Sequence, residues 1–195
     1  MKNGLIKFPG LRLSAAEVRQ ALAAVSSAEV LSSIDVQCAI EQAETYVYLK
    51  LAADIDDPCQ TLQAACRPLC PDAMVIALQC TLDLPGHSSG KKAAWHYVVE
   101  TDVRPEAEDD FNAWYQTEHM PGLAAVPGTI RAWRYTDGAG SPKYYAAYDL
   151  ETLETFGSEP WVAVRATAWS SRVRPNFFNT KRTMFKKDGG SPGGE

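Results

Sequence analysis

The sequence predicts an α+β fold built from two βαββαβ units in tandem. Strand and helix signals follow in the same order in both halves of the 195-residue chain. The segment PGHSSGKK, residues 85–92, separates the halves and has the composition of a solvated connection. Strands of the second half carry apolar side chains on both faces, so their sheet needs cover on both. Helices cover only one face of such a unit, and the other face must therefore meet a second sheet.

In the first half, the strand GLIKF is followed by a helix over LSAAEVRQALAAV. Ser14 stands at the N-cap of this helix, and Glu17 three residues later completes a capping box. A strand pair, a helix and a last strand complete the unit, in the order IDVQCAI, YVYLKLAA, residues 58–69 and AMVIALQCTL.

The second half opens with the strand WHYVVETDV. A stripe of side chains at four-residue intervals then predicts a helix over 109–126, capped by Asp109 or Asp110: Phe111, Tyr115, His119 and Leu123. Pro127-Gly128 predicts a turn. The remaining elements are two strands joined by the loop DGAGSPK, a helix and a closing strand: RAWRY, YYAAYDL, residues 158–168 and NTKRTMFK.

These elements predict a first half over 1–86, a linker over 87–92, a second half over 93–187 and a disordered tail over 188–195. An apolar fraction of 46% and a charged fraction of 22% are typical of globular proteins. No apolar run approaches the ~20 residues that span a bilayer, and the N-terminus lacks the apolar core of an export signal. We therefore expect a cytoplasmic protein without a membrane partner.

The charge is distributed unevenly along the chain. The net charge of −5 argues against a nucleic-acid partner, and no motif for reading nucleic acid is present. Residues 160–187 nevertheless contain no acid and seven cations: Arg165, Arg172, Arg174, Lys181, Arg182, Lys186 and Lys187. An acidic run precedes them between Glu100 and Asp110. The pattern favours two solvated faces that attract each other, and a site for a polyanion is the alternative.

All five cysteines lie in the first half. Their odd number, without an export signal, favours reduced thiols. Cys66 and Cys70 are the closest pair in position to share a metal, but Pro68 interrupts the helical spacing between them. We therefore expect no metal.

Residues 111–135, FNAWYQTEHMPGLAAVPGTIRAWRY, resemble the small dimeric α/β-barrel proteins. This superfamily includes the ethyl-tert-butyl-ether degradation D-like (EthD-like) group, the cofactor-free antibiotic-biosynthesis monooxygenases and the muconolactone isomerases. The nearest likeness is to uncharacterised bacterial EthD-like proteins, through Trp114, Tyr115, Glu118, His119, Pro121, Pro127, Gly128, Arg134 and Tyr135.

The resemblance spans about residues 93–187. It implies a ferredoxin-like fold whose sheet pairs with another into a barrel, and a small-molecule pocket between helices and sheet. Together with the tandem pattern, it leads us to expect that the halves form a pseudo-dimeric α/β barrel. Each half should provide a four-stranded sheet, with the two sheets packed face to face.

The predicted site centres on His119, which the helical stripe turns toward the sheet. Pro121 should break the helix and leave a carbonyl near residue 117 available. A half-buried imidazole with a pKa near 6.5 could act as acid or base, so His119 is the candidate catalytic residue; its structural alternative is a polar core residue at a helix end. The candidate substrate-binding residues are Trp114, Tyr115, Arg134, Tyr145 and Trp133.

Arg134 is expected to be semi-buried and to pair with an anion, either a substrate carboxylate or Glu118; an internal or interfacial salt bridge is the alternative. His96 should be exposed or interfacial. Some tandem α/β barrels bind haem through a histidine, and His119 is the candidate ligand in that alternative. We expect no cofactor.

These observations favour a small-molecule-binding α/β-barrel protein. It would be a cofactor-independent enzyme of the isomerase, cyclase or monooxygenase type, acting on a small aromatic or polyketide-like compound. The alternative is a non-catalytic ligand-binding or assembly domain. A homodimer is compatible with the prediction but is not required by it.

Overall fold

A computed structural model describes residues 3–51 and 57–187. The strands are β1 Asn3–Pro9, β2 Asp35–Ala39, β3 Glu44–Lys50, β4 Met74–Pro85, β5 Trp95–Val103, β6 Thr129–Thr136, β7 Tyr144–Leu150 and β8 Phe177–Lys187. The α-helices are α1 Ala15–Leu22, α2 Ala28–Ser32, α3 Pro58–Cys66, α4 Glu108–Trp114, α5 Met120–Ala124, α6 Glu159–Arg165 and α7 Ala168–Val173. The predicted tail and the end of YVYLKLAA lie outside the described residues.

The strands are hydrogen-bonded in the order β1-β3-β2-β8-β5-β7-β6-β4, which closes into a barrel. Read in two halves, this order is β4-β1-β3-β2 and β8-β5-β7-β6, the same arrangement of a βαββαβ unit twice. The predicted α+β class and tandem ferredoxin-like units are thereby confirmed. The expectation of two separate sheets is wrong, because β2 pairs with β8, where Gln37 lies opposite Lys187.

The chain divides into two compact units. The first holds the chain up to Gln79 together with the end of β8 from Phe185. Its α1 begins at the predicted capping box: the Ser14 hydroxyl accepts from the Glu17 N–H, and the Glu17 carboxylate accepts from the Ser14 N–H at 2.8 Å. Its core joins apolar side chains of the strands to those of all three helices, among them Ile6, Val18, Val30, Val47 and Leu62.

The second unit, Cys80–Met184, contains the candidate site. Its central strand is β7, which pairs antiparallel with both β5 and β6. Every residue of β7 is buried, so this sheet is covered on both faces as the sequence predicts. Tyr144 and Tyr148 belong to the core on the helical side of the sheet, whereas Tyr145, by strand alternation, points to the opposite side.

Most residues of the segment between the halves are exposed, and Gly86 and Ser88 attach it to β6. The Gly86 N–H donates to the Ile130 carbonyl, and the Ser88 N–H donates to the Thr129 carbonyl. Ser88 is buried, and its hydroxyl accepts from the Gly128 N–H at 2.9 Å. A side chain at Gly86 would collide with the Thr129 backbone, so glycine serves close packing here instead of flexibility.

The five cysteines all lie in the described part of the chain, and none forms a disulfide. Cys66 and Cys70 are buried in the core of the first unit. Among the described residues, no helix has the length and apolar composition to cross a membrane.

Candidate functional site

The helix that carries the site contains an irregular turn. Between α4 and α5, residues Tyr115–His119 form a π-helical turn, in which the Met120 N–H donates to the Tyr115 carbonyl five residues back. Such turns occur frequently at functional sites. The helix continues past Pro121 to residue 124. Because proline has no N–H to donate to the residue-117 carbonyl, the regular hydrogen-bonding pattern is interrupted at the turn that precedes it.

The predicted helical stripe is buried along its whole length, from Phe111 through Tyr115 and His119 to Leu123. The helix itself covers residues 108–124, within two residues of the predicted bounds at each end. The stripe therefore faces the sheet, and the π-helical turn places His119 on its buried side.

The imidazole of His119 is held by aromatic rings. It stacks on the Trp114 indole with 4.1 Å between ring centroids and meets the Tyr115 ring edge-on at 5.3 Å. Only 6% of the residue is exposed. Its Nδ1 atom is buried and has no hydrogen-bond partner among the residues that the structure describes. A polar atom in that state can serve a ligand or a water molecule.

His119 lines a cavity on the helical side of the second unit's sheet. The cavity has about 330 Å³ of non-atom space, including a mouth open to solvent. Its walls are mainly aromatic, from Tyr97, Trp114, Tyr115, Tyr148, Trp161 and Phe177. Arginine side chains complete the lining: Arg165, Arg174 and Arg182. The aromatic surfaces suit a flat ligand, and the arginines give the cavity a positive charge.

The positive charge of this arginine set is not compensated within the unit. None of Arg165, Arg174 and Arg182 forms an ion pair with a carboxylate of a described residue. Burial lowers the pKa of Arg174, and the charges of Arg165 and Arg182 lower it further. By contrast, Arg172 lies two residues away and makes a two-pronged bond to Asp110 at 2.8 and 3.0 Å.

The same environment keeps His119 neutral. Burial lowers the pKa of His119 to about 3, and the charges of Arg174 and Arg165 contribute to the lowering. The expectation of an imidazole that titrates near neutral pH is therefore wrong for the cavity without a ligand. Burial also raises the pKa of Tyr115 to about 12, so that phenol stays protonated. Both side chains are neutral hydrogen-bonding groups in this state.

Arg134 lies beside this cavity but does not line it. Its guanidinium is enclosed by three rings, with its central carbon 4.9 Å from the Phe111 centroid, 4.6 Å from Tyr115 and 4.9 Å from Tyr144. Nη2 donates to the Asn112 side-chain oxygen at 2.7 Å. Arg134 thus supports the helix that carries Tyr115, through cation–π contacts and one hydrogen bond.

Glu118, the expected carboxylate partner of Arg134 within the protein, bonds to other groups. Glu118 accepts from the Trp114 indole N–H at 3.1 Å and from the Thr167 hydroxyl at 2.6 Å. The expected pairing of Arg134 with Glu118 is therefore wrong. Glu118 instead fixes the plane of Trp114, the ring on which His119 stacks.

The other candidate residues lie on the opposite face of the sheet. Trp133 contacts His96, with centroids 5.8 Å apart, and Tyr145 points to the same side by strand alternation. His96 is 2% exposed and its Nδ1 lies 2.7 Å from the Asp149 carboxylate. Of the two alternatives for His96, exposed or interfacial, the exposed one is therefore wrong. The structure thus brings Trp114, Tyr115 and His119 together and leaves Arg134, Trp133 and Tyr145 outside the cavity.

Sequence reasoning missed the arginine set and most of the aromatic walls. A signal for the arginines was present, because all three belong to the acid-free run of residues 160–187. That run was expected to form a solvated face. Arg172 is exposed and pairs with Asp110 of the acidic run. Arg165, Arg174 and Arg182 of the same basic run line the cavity instead.

The described residues contain no cluster of three or more histidine, cysteine and acidic side chains that could hold a metal ion.

No protein-family model and no curated protein matches this sequence. Solved structures with the same fold do match it. An anthrone oxidase-like protein is 13% identical, with a TM-score of 0.61, and the match covers 95% of this chain and 90% of the other.

Two proteins of Listeria monocytogenes are 9% identical to this chain. One is a ferredoxin-fold protein related to antibiotic biosynthesis monooxygenases, with a TM-score of 0.59 over 95% of this chain and 94% of that one. The other is the haem-degrading enzyme LmHde, with a TM-score of 0.58 over 95% of this chain and 99% of that one. Identities this low establish the fold alone. The chain has the fold of the dimeric α/β-barrel, ferredoxin-like proteins.

Proposed function

We propose that the cavity beside His119 binds a small aromatic anion and that the protein is a cofactor-independent enzyme acting on it. One observation carries the proposal: three arginines without a carboxylate partner line a cavity whose walls are aromatic. Guanidinium groups bind carboxylates and other oxyanions through charge-assisted hydrogen bonds. The ring of such a ligand would lie against the walls formed by Trp114 and Trp161.

The ligand's charge would also change what His119 can do. In the empty cavity, Arg174 and Arg165 help to keep the imidazole neutral. An anion bound at these arginines offsets their charge, so the pKa of His119 rises toward its ordinary value. The imidazole then accepts a proton from the ligand and later returns it. Removal of a proton next to a carbonyl is the opening step of isomerisation and cyclisation, and general-base catalysis contributes about 10²–10⁴-fold in rate.

The binding part of the proposal is tested with benzoate. Titration of benzoate into the protein should quench the fluorescence of the buried Trp114 and Trp161, whereas uncharged benzyl alcohol should bind at least about tenfold more weakly. Native mass spectrometry of freshly purified protein would show a retained ligand in addition. Equal binding of the two compounds would overturn the proposal.

Two arginine variants make the test specific. Arg174→Gln removes a charge from the cavity and should weaken benzoate binding about tenfold. Arg172→Gln removes the same charge two residues away, where the guanidinium is exposed and paired with Asp110. It should leave benzoate binding unchanged. Equal effects of both substitutions would point to general electrostatic attraction and against a site.

A non-catalytic binding domain is the second candidate, and the lowered pKa of His119 favours it, because an imidazole that stays neutral transfers no proton. The two are separated by an NMR titration of the His119 imidazole with and without benzoate. A pKa that rises by more than one unit on binding supports the enzyme. An unchanged pKa with intact binding supports the binding domain.

We also propose that the second half belongs to the EthD-like branch of the α/β-barrel proteins. The motif residues Trp114, Tyr115 and His119 support this assignment, since they form one contiguous cluster. A structure-guided alignment should then pair these positions with the corresponding motif of EthD-like proteins, and pairing with unrelated residues would argue against the assignment.

A further inference from the structure

The cavity contains a second buried polar group that has no described partner. Trp161 is fully buried, and its indole Nε1 forms no hydrogen bond with any residue that the structure describes. An indole N–H is a donor only, so it requires an acceptor. The other two tryptophans of this region have theirs: Trp114 donates to Glu118 at 3.1 Å and Trp169 donates to Asp110 at 2.9 Å.

The two residues that carry these unpartnered atoms line the same cavity. Trp161 Nε1 and His119 Nδ1 both belong to side chains of the cavity wall, and both are shielded from solvent. The Tyr148 hydroxyl donates its proton to the Met120 sulfur at 2.9 Å, so that proton is not available to His119 Nδ1. Neither Tyr97 nor Tyr115, the other phenols of the wall, forms a hydrogen bond to either atom. Buried polar groups without hydrogen bonds destabilise a protein. A bound ligand with an oxygen atom could provide the missing hydrogen bonds.

We propose that the buried part of the cavity recognises a hydroxyl or carbonyl oxygen on the aromatic anion, through the Trp161 N–H and the His119 imidazole. This inference rests on the proposed function and adds the substrate class. A ligand hydroxyl accepts from Trp161 and donates to a neutral His119 nitrogen, and a carbonyl oxygen accepts from both groups when that nitrogen carries its proton. The ligand is then a hydroxy- or keto-aromatic acid whose carboxylate lies at Arg165, Arg174 and Arg182.

Trp161 becomes a specificity-determining residue in this arrangement. Sites built to hydrogen-bond a ligand oxygen reject analogues that lack it far more strongly than apolar pockets reject an extra methylene. The preference for a ligand oxygen would depend on one donor, the Trp161 N–H. The informative substitution therefore removes this N–H and retains an aromatic side chain. Trp161→Phe keeps an aromatic ring in the wall and removes that donor.

The experiment compares benzoate with the three positional isomers of hydroxybenzoate. At least one isomer should bind the wild-type protein about tenfold more tightly than benzoate. In Trp161→Phe the ratio of the hydroxybenzoate affinity to the benzoate affinity should fall below about twofold. Benzoate, which lacks the hydroxyl oxygen, is the internal control for any change that the substitution makes in the shape of the cavity.

A measurement on the unaltered protein keeps the proposal testable if the variant does not fold. The ¹⁵N–¹H resonance of the Trp161 indole should shift when the tight-binding hydroxybenzoate is added, and more than with benzoate. Equal affinities of all isomers and benzoate would overturn this inference and indicate that a buried water satisfies both atoms. An advantage that survives Trp161→Phe would also overturn it. If benzoate and the isomers all fail to bind, the proposed function fails as well.

Discussion

Acid should destabilise this protein through His119, and removal of the imidazole should abolish that contribution. The folded protein holds His119 neutral, with its pKa lowered to about 3 by burial and by Arg174 and Arg165. The unfolded chain has an ordinary histidine with a pKa near 6.5. Between these values the unfolded state binds the extra proton, so the free energy of unfolding rises with pH and falls as pH drops from about 6.5 toward 3.

The expected size follows from the gap between the two pKa values. Each pH unit below 6.5 costs about 1.36 kcal/mol until the folded-state pKa is reached. At about pH 4.5 the loss from His119 is therefore about 3 kcal/mol relative to neutral pH, and near pH 3 it approaches about 5 kcal/mol as an upper value. Such a loss is a large part of the stability of an ordinary domain.

Urea unfolding of the wild type and of His119→Phe, at about pH 7 and pH 4.5, measures this loss. The phenyl ring can stack on Trp114 as the imidazole does but cannot take a proton. The wild type should lose about 3 kcal/mol more than the variant between the two conditions. His87→Gln, which removes an exposed histidine, should behave as the wild type. An equal loss in wild type and His119→Phe would refute the buried, neutral imidazole.

Other changes test packing and thiol chemistry. Arg134→Met should destabilise the protein by about 2 kcal/mol in thermal unfolding, because it removes the cation from its aromatic enclosure and leaves the half-buried Asn112 side-chain oxygen without its donor. An unchanged Tm would contradict this. Gly128→Ala should lower the free energy of unfolding by more than about 1 kcal/mol, since φ is +93° and a Cβ would lie 2.2 Å from the Thr155 hydroxyl. A thiol reagent should modify the exposed Cys80 first and reach the buried Cys66, whose pKa burial raises to about 11, only on unfolding, with five thiols per chain titrated in denaturant.

The elements that were predicted most accurately have sharp local signals at both ends. β5 and β7 match WHYVVETDV and YYAAYDL to the residue, because alternating apolar runs end there at turn residues. The helices α2 and α7 were not predicted, since five and six residues are too few to show a helical period. The formation of such short helices therefore depends on tertiary contacts, which the local sequence pattern does not reveal.

The site was only partly predictable for a related reason. The stripe of His119 follows from helical periodicity, and the structure buries it as expected. Arg172 and Arg174 differ by two positions in the same basic run, yet one pairs with Asp110 at the surface and the other lines the cavity. Which of them turns inward is decided by the way α7 meets the following turn and β8. Sequence composition carries no information on that geometry.

The π-helical turn at Tyr115–His119 has a consequence for how this site can change over evolution. A π turn is equivalent to an α-helix with one residue inserted, and the inserted residue is accommodated locally while the helix on either side keeps its phase. The core contacts of Trp114 and of Leu123 therefore survive the gain or loss of that one residue. A single-codon deletion in this turn would restore a regular helix and realign the position now held by His119, so the ligand chemistry can be altered while the barrel scaffold is retained.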